Sequence, residues 1–320
     1  MTISPIPSAG KRTLSALLAL TFCLALFAGC AKEDVSRTDA QTNTVSYNGE
    51  TYTVPKDPQR IVTLSTSVLQ LLYAVDGKAI ARVDTREPLS DELAALPIIG
   101  HTDTPTAEKI LELKPDLVLG LSIQHGKMKD VFASNHIPFI PVNFEGIYNT
   151  TPILTFFGEL TGHQEKAARV VADYDRRVAA VKEKAASLPP LRVAVLRATG
   201  KSVTAETPLA ITASMVKELG FINVATQELT SPPTTKTIPY SLEALAAADP
   251  DVIFIVTMGK AEDITKTMQA EMTDNPAWNG LTAVSSGKVI YLPSRHYLLN
   301  PALETPEAMA ALIDYAYAKP

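Results

Sequence analysis

One pattern occurs twice in this chain. Glu108-Lys-Ile-Leu-Glu-Leu-Lys-Pro115-Asp116-Leu-Val-Leu119 reappears in the second half as Glu243-Ala-Leu-Ala-Ala-Ala-Asp-Pro250-Asp251-Val-Ile-Phe254, each copy placing a glutamate seven residues before Pro-Asp and an apolar run. Proline cannot continue a helix and disfavours helical geometry in the residue before it, so each copy reads as a short helix turned straight into a buried strand. A single copy is what any helix-to-strand connection looks like. Its recurrence favours two related α/β halves.

The surrounding rhythm agrees. Thr44 to Val54 alternates around Asn48-Gly49, a β-hairpin signal. Arg60 to Leu64 reads as a buried strand, and Ser65-Thr66-Ser67 as the cap of a helix running through Leu71 and Leu72 towards Gly77. Ala79 to Val83, Ile98 to Gly100, Asp116 to Leu121 and Phe139 to Val142 are further short strands between turn signals, and alternation with helices implies a parallel sheet. The middle breaks this rhythm. Thr151-Pro152 opens a helix that reaches Leu160, Thr161 and Gln164 form a capping box, and apolar residues from Ala167 to Ala185 recur at helical spacing until Pro189-Pro190. Such a helix is roughly 35 Å long, a rigid spine between halves. Strands then resume at Leu191 to Leu196, Ser202 to Ala205, Asp251 to Val256 and Lys288 to Leu292. The expected fold is α/β, with two lobes of largely parallel sheet (45–160 and 190–320) joined by one long helix (161–189), a ligand cleft between them, and little relative motion.

The N-terminus carries an export signal. Lys11 and Arg12 precede an apolar run from Leu14 to Phe27, ending in Ala28 and Gly29 before Cys30. Phe27-Ala28-Gly29-Cys30 resembles the bacterial lipobox, which implies removal of 1–29 and lipidation of Cys30, although Phe27 stands where leucine is usual. The other cysteine, Cys23, lies inside the apolar run, so the mature chain has neither a disulfide nor a thiolate metal site. Residues 30–44 are polar and read as a flexible tether. The net charge of −5, without a basic cluster, argues against nucleic acid, and no apolar stretch beyond the signal is long enough to span a bilayer.

Ligands of open α/β sheets sit at the carboxyl ends of strands. That rule nominates Arg86, Arg197 and Arg295, whose guanidinium groups suit oxyanions, together with His101, Tyr240, Met258, His296 and Tyr297. His125, His136 and His163 are scattered without metal-ligand spacing, so no direct metal site is expected. Gly120-Leu-Ser122-Ile-Gln124 approaches a nucleophile elbow, but Gln124 replaces the second glycine; a serine esterase is the alternative from a different class. No phosphate-cradling loop is present, so any ATPase is another chain.

The repeat, the Arg60-Ile-Val-Thr-Leu-Ser65 opening, the spine helix and the late segment Asn275 to Val289 resemble the iron-siderophore, haem and cobalamin binding proteins of ABC importers, from about Arg60 to the end. The resemblance implies a non-enzymatic, monomeric receptor of two lobes that captures an iron complex as cargo, with no resident cofactor, and delivers it to a permease driven by an ATPase. It also implies that Glu108 and Glu243, one per lobe, pair with permease arginines. Three strand-end arginines favour an anionic siderophore over haem, with cobalamin third; for haem, His101 with Met258, or Tyr297, would ligate iron.

Overall fold

The computed structural model describes residues 42–318. The export signal, Cys30 and most of the tether lie outside them. Residues 42–44, expected in the tether, instead open strand β1 (Thr42–Tyr47), which pairs antiparallel with β2 (Glu50–Pro55) from the register Thr42 opposite Pro55. Asn48 and Gly49 take φ values of 52° and 79°, the positive pair that a two-residue hairpin turn requires.

The first lobe follows as β3 (Ile61–Thr63), α1 (Thr66–Ala74), β4 (Arg82–Asp84), β5 (Ile98–His101), α2 (Ala107–Glu112), β6 (Leu117–Leu121), α3 (Ser122–His125) and β7 (Phe139–Val142). Strands β3, β6 and β7 form a parallel sheet in that order. Strands β4 and β5 pair in parallel, and a bridge from Ala81 to Val62 attaches them to β3. Neighbouring residues face opposite cores: Ile61, Leu117 and Leu119 join one apolar cluster, Val62 and Val118 the other. A sheet covered on both faces is the arrangement for which continuous apolar strands are suited.

Helix α4 (Thr150–Leu160) precedes the spine α5 (Gln164–Ala186). The capping box does not form. His163 is the N-cap of the spine, and the Thr161 hydroxyl donates back to the Phe157 carbonyl at 2.7 Å, satisfying the end of α4 instead. The spine serves both lobes along its length. Val170 and Val171 pack on the first-lobe core, whereas Val178, Val181 and Ala185 pack on the second.

The second lobe contains β8 (Arg192–Thr199), β9 (Val203–Glu206), α6 (Ile211–Glu218), β10 (Ile222–Asn223), β11 (Thr237–Ile238), α7 (Leu242–Ala248), β12 (Val252–Met258), β13 (Val289–Leu292) and α8 (Thr305–Tyr317). Its sheet runs β11-β9-β8-β12-β13, with β10 added to β8. The pairs β8–β12 and β12–β13 are parallel, but β9 returns antiparallel along β8. Val193 and Val195 face one core, Ala194 and Leu196 the other.

The repeat is a shared joint. Asp116 accepts the Gln59 and Arg60 amides at 2.8 and 2.9 Å, and the Arg60 guanidinium donates to the Leu113 and Lys114 carbonyls that end α2. In the second lobe Asp251 accepts the Arg192 amide at 2.9 Å, and Arg192 donates to Ala248 at the end of α7. The residues before the two prolines, Lys114 and Asp249, both take positive φ, 45° and 41°. The Pro-Asp pair therefore ties helix end, incoming strand and neighbouring strand together in each lobe.

The spine is not the sole connection. Between Phe144 and Ile153, both in the first-lobe core, Ile147 is buried in the second. Gly146 donates to the Leu209 carbonyl at 2.9 Å and Ile147 to the Ser214 hydroxyl at 3.1 Å. Gly146 has φ +58°, and a Cβ there would lie 2.6 Å from Ser214 Oγ, so the crossing depends on glycine. Near the C-terminus the chain crosses back. Ala302 joins the first-lobe core, and the Ser67 hydroxyl donates to the Asn300 carbonyl at 2.7 Å. Arg177 of the spine holds Glu307 of α8 at 2.5 Å and donates to the Leu303 carbonyl.

Candidate binding cleft

An open cleft of about 420 Å3 lies between the lobes, and the strand-end rule locates its walls. Ser65, Thr66 and Ser67 follow β3; Thr85 and Glu87 follow β4; Thr102 follows β5. Leu121 to Gln124 leave β6, and Val142, Asn143 and Phe144 leave β7. Opposite them, Arg197 rises from β8, Lys236 precedes β11, and Met258 ends β12. Leu298, Leu299 and Asn300, from the returning crossing, floor the gap.

The first-lobe wall is mostly neutral: hydroxyls and amides with one carboxylate, Glu87. Its shape at β6 is held from behind by His125. This imidazole is fully buried, accepts the Leu121 amide on Nδ1 at 2.7 Å, and so donates from Nε2 to the Thr102 carbonyl at 2.6 Å. Burial pushes its pKa down despite the favourable carbonyl, keeping the ring neutral. Gly120 makes room, since a Cβ there would meet Phe139 at 2.9 Å and His125 Nδ1 at 3.0 Å. Thus a buried histidine fixes Leu121 and Thr102, both cleft residues.

The second-lobe wall carries a compact charge group. Arg197, 14% exposed, donates Nε–H and Nη2–H to Glu206 Oε1 at 2.9 and 2.5 Å. Glu206 is wholly buried, and its Oε2 has no hydrogen-bond partner among the described residues; the Ala213 amide favours its charge without closing a bond to that oxygen. Burial pushes the carboxyl up, and Arg197 pulls it back. The guanidinium keeps its proton, and two of its donors converge on Oε1, the contact of an ion pair. Lys236 donates to the Phe144 carbonyl at 3.0 Å, reaching across to the first lobe. Burial, then repulsion from Arg197, push its pKa down, and Glu145 and Glu206 oppose them.

Of the residues the sequence nominated, the cleft gathers Arg197 and Met258; the latter is 49% exposed. Arg295 and His296 stand beside the cleft, both engaged by Glu304, at 2.6 and 2.8 Å. Glu87 faces this group; its pKa is pushed up by burial and drawn back by Arg295. The other four are elsewhere. Arg86 is exposed outside the lining. His101 is solvent-facing with Nδ1 3.5 Å from Asp84. Tyr240 packs half-buried on the second-lobe core. Tyr297, 1% exposed, donates its hydroxyl to the Ala308 carbonyl at 2.9 Å, a core role that withholds its oxygen from a ligand. The three-arginine anion site is therefore not assembled.

Lys236, Glu87, Asn143 and Asn300 were not picked out from sequence. Asn143 and Glu87 obey the strand-end rule, but Lys236 enters through a short β11 that no periodicity marks. Ser122 lies 3.4 Å from Asn143 Oδ1, and the nearby His125 spends both nitrogens on backbone groups, so no base addresses the serine among the described residues. Glu108 and Glu243 are exposed on the first turns of α2 and α7; the Ser241 hydroxyl donates to Glu243 at 2.8 Å and holds its carboxyl below the ordinary range. Among the described residues no helix is long and apolar enough to cross a membrane, and no cluster of metal-ligating side chains occurs.

Comparison with known proteins agrees with this architecture. The chain is 25% identical over 297 residues to the probable siderophore-binding lipoprotein YfiY of Bacillus subtilis, covering 87% of this chain and 89% of that one. The solved structure of Staphylococcus aureus IsdE complexed with heme superposes with a TM-score of 0.69 at 22% identity, over 81% of this chain and 98% of that one. Staphylococcus aureus SirA complexed with staphyloferrin B gives 0.69 at 22% identity, over 86% and 97%. Residues 61–296 match the periplasmic binding protein family, to which the chain belongs.

Proposed function

We propose that this chain is the extracytoplasmic substrate-binding component of an ABC importer, capturing a ferric siderophore between its lobes for delivery to a permease powered by a separate ATPase. The observation that carries the reading is the cleft: strand ends of both lobes meet across a gap whose volume falls within the range of small-molecule sites. Siderophore recognition is also what the name of the relative YfiY states for that protein. Cys30 supplies the membrane anchor, and the chain works as a monomer. Exposed Glu108 and Glu243, on equivalent helices of the two lobes, are the docking charges. The chain is a receptor and not an enzyme; a serine-reactive probe will leave Ser122 unlabelled.

A haem complex is the second reading, favoured by one observation: the Met258 thioether, an iron ligand type, stands half-exposed in the cleft. Titration of the purified chain with ferric siderophores, haemin and cobalamin separates the readings. Saturable calorimetric binding of a ferric siderophore at micromolar concentration or below is expected. A Soret shift with haemin that is lost in Met258→Ala would favour haem, and failure of every iron complex to bind would overturn the siderophore reading.

A further inference from the structure

The charges around the cleft do not favour a strongly anionic guest. Arg197 and Lys236 line it, the first held by a carboxylate and the second by the Phe144 carbonyl. Arg197 is neutralised by a buried carboxylate, and burial followed by repulsion from Arg197 works against the charge on Lys236. On the facing wall Glu87 looks towards Arg295, which Glu304 already engages. Both arginines are thus already held by carboxylates, Arg197 by Glu206 and Arg295 by Glu304, and Glu87 adds a further carboxylate to the lining.

Two further features bear on the guest. Phe144 is the one aromatic side chain lining the cleft among the described residues, and it is only 8% exposed, so little ring surface is available for stacking. Ile123, Met258 and Leu299 are all largely exposed, at 77%, 49% and 47%, and offer aliphatic surface from the first lobe, the second lobe and the crossing respectively. Between them stand hydroxyls and amides: Ser65, Thr85, Thr102, Ser122, Gln124 and Asn143. Such a wall suits a ligand with an aliphatic outer surface, amide or hydroxamate oxygens, and no surplus of negative charge.

Ferric chelates divide on this point by stoichiometry. Three singly charged hydroxamates balance the ferric ion and leave an electrically neutral complex; three doubly charged catecholates leave a trianion. Enclosing a trianion in a site whose arginines are already paired leaves more negative charge than Lys236 alone can balance, which is strongly disfavoured. Resting on the iron-chelate reading above, we propose that the cleft selects a ferric complex without net negative charge, of the trihydroxamate class, and that Glu206 sets this preference by neutralising Arg197.

The test is calorimetric titration of the purified chain with ferrichrome as the neutral trihydroxamate, ferric enterobactin as the trianionic catecholate, ferric citrate and haemin. Ferrichrome is expected to bind about a hundredfold or more tighter than ferric enterobactin. Its affinity should also be insensitive to salt between about 50 and 500 mM, because no net charge is being paired. Tighter binding of an anionic complex, or ferrichrome binding that weakens with salt, would overturn the charge inference while leaving the iron-chelate reading intact. Binding of none would remove both. Glu206→Gln keeps the shape but frees the Arg197 charge, and is expected to improve ferric enterobactin binding at least about tenfold; an unchanged ranking in the folded variant would assign the preference elsewhere. Should that variant not fold, the ranking and salt response of the unaltered chain still decide.

Discussion

The two lobes are built on the same joint but present different walls. In the first, Asp116 and Arg60 lock the end of α2 to the sheet; in the second, Asp251 and Arg192 do the same for α7. The strand ends above these joints share nothing of the kind. One wall is hydroxyls and amides braced by a neutral histidine, the other a buried ion pair with a second cation beside it. The repeated part of the structure is the part outside the cleft lining, where every requirement is backbone geometry. Chemistry diverges where loops leave the strands and side chains are free of the sheet.

The largest expected effect tests the charged wall. Arg197→Ala strands the Glu206 carboxylate in the interior and is expected to cost about 3–5 kcal/mol in urea denaturation near neutral pH. Without the guanidinium the folded-state carboxyl, already raised by burial, rises further above its unfolded value, so the variant should regain stability as the pH is lowered towards 5. Replacing Arg197 and Glu206 together by methionine and leucine should be far milder than the single change, about 1 kcal/mol or less.

The neutral wall yields next. His125→Ala leaves the Leu121 amide and the Thr102 carbonyl without their partner and should cost about 2–3 kcal/mol, with weakened ligand binding because both residues line the cleft. The native imidazole has a folded-state pKa below its unfolded value, so its contribution is complete above about pH 6.5 and is lost as the pH falls through that point. The difference in stability between native chain and His125→Gln should therefore shrink between about pH 7.5 and 5.5.

The shared joints provide a finer comparison. Asp116→Ala removes the acceptor of two amides and Asp251→Ala that of one, so about 1–2 kcal/mol and about 1 kcal/mol are expected, measured by thermal melting. Smallest of all, Glu108→Lys or Glu243→Lys should change stability by less than about 0.5 kcal/mol, since both side chains are exposed. If the two lobes dock equivalently on the permease, each should impair uptake and the pair should impair it more.

Much of this scaffold is legible in the sequence because it follows from short-range rules. Asn48-Gly49 makes the expected turn, the strands after Pro115 and Pro250 start where proline ends the helices, and the helical spacing from Ala167 to Ala185 marks the spine. Arginine roles were not legible. Arg60, Arg82 and Arg192 cap carbonyls, Arg295 is held by Glu304, and only Arg197 lines the cleft, although all look alike in sequence. Tyr297 is a strand-end residue by position yet turns into the core, because Ala308 of α8 offers its carbonyl. The crossings at Gly146 and Ala302 were missed for a related reason. Nothing local distinguishes a loop that visits the other lobe and returns from one that does not.

Those crossings give the cleft its mechanical character. A single helix would act as an axle about which the lobes could turn, whereas three separate passages of the chain, one pinned where Gly146 abuts Ser214, form a frame. A framed gap holds its width before anything enters it. Little of the free energy of capture is then diverted into gathering the walls, and a guest is selected by how well it fits an opening already set.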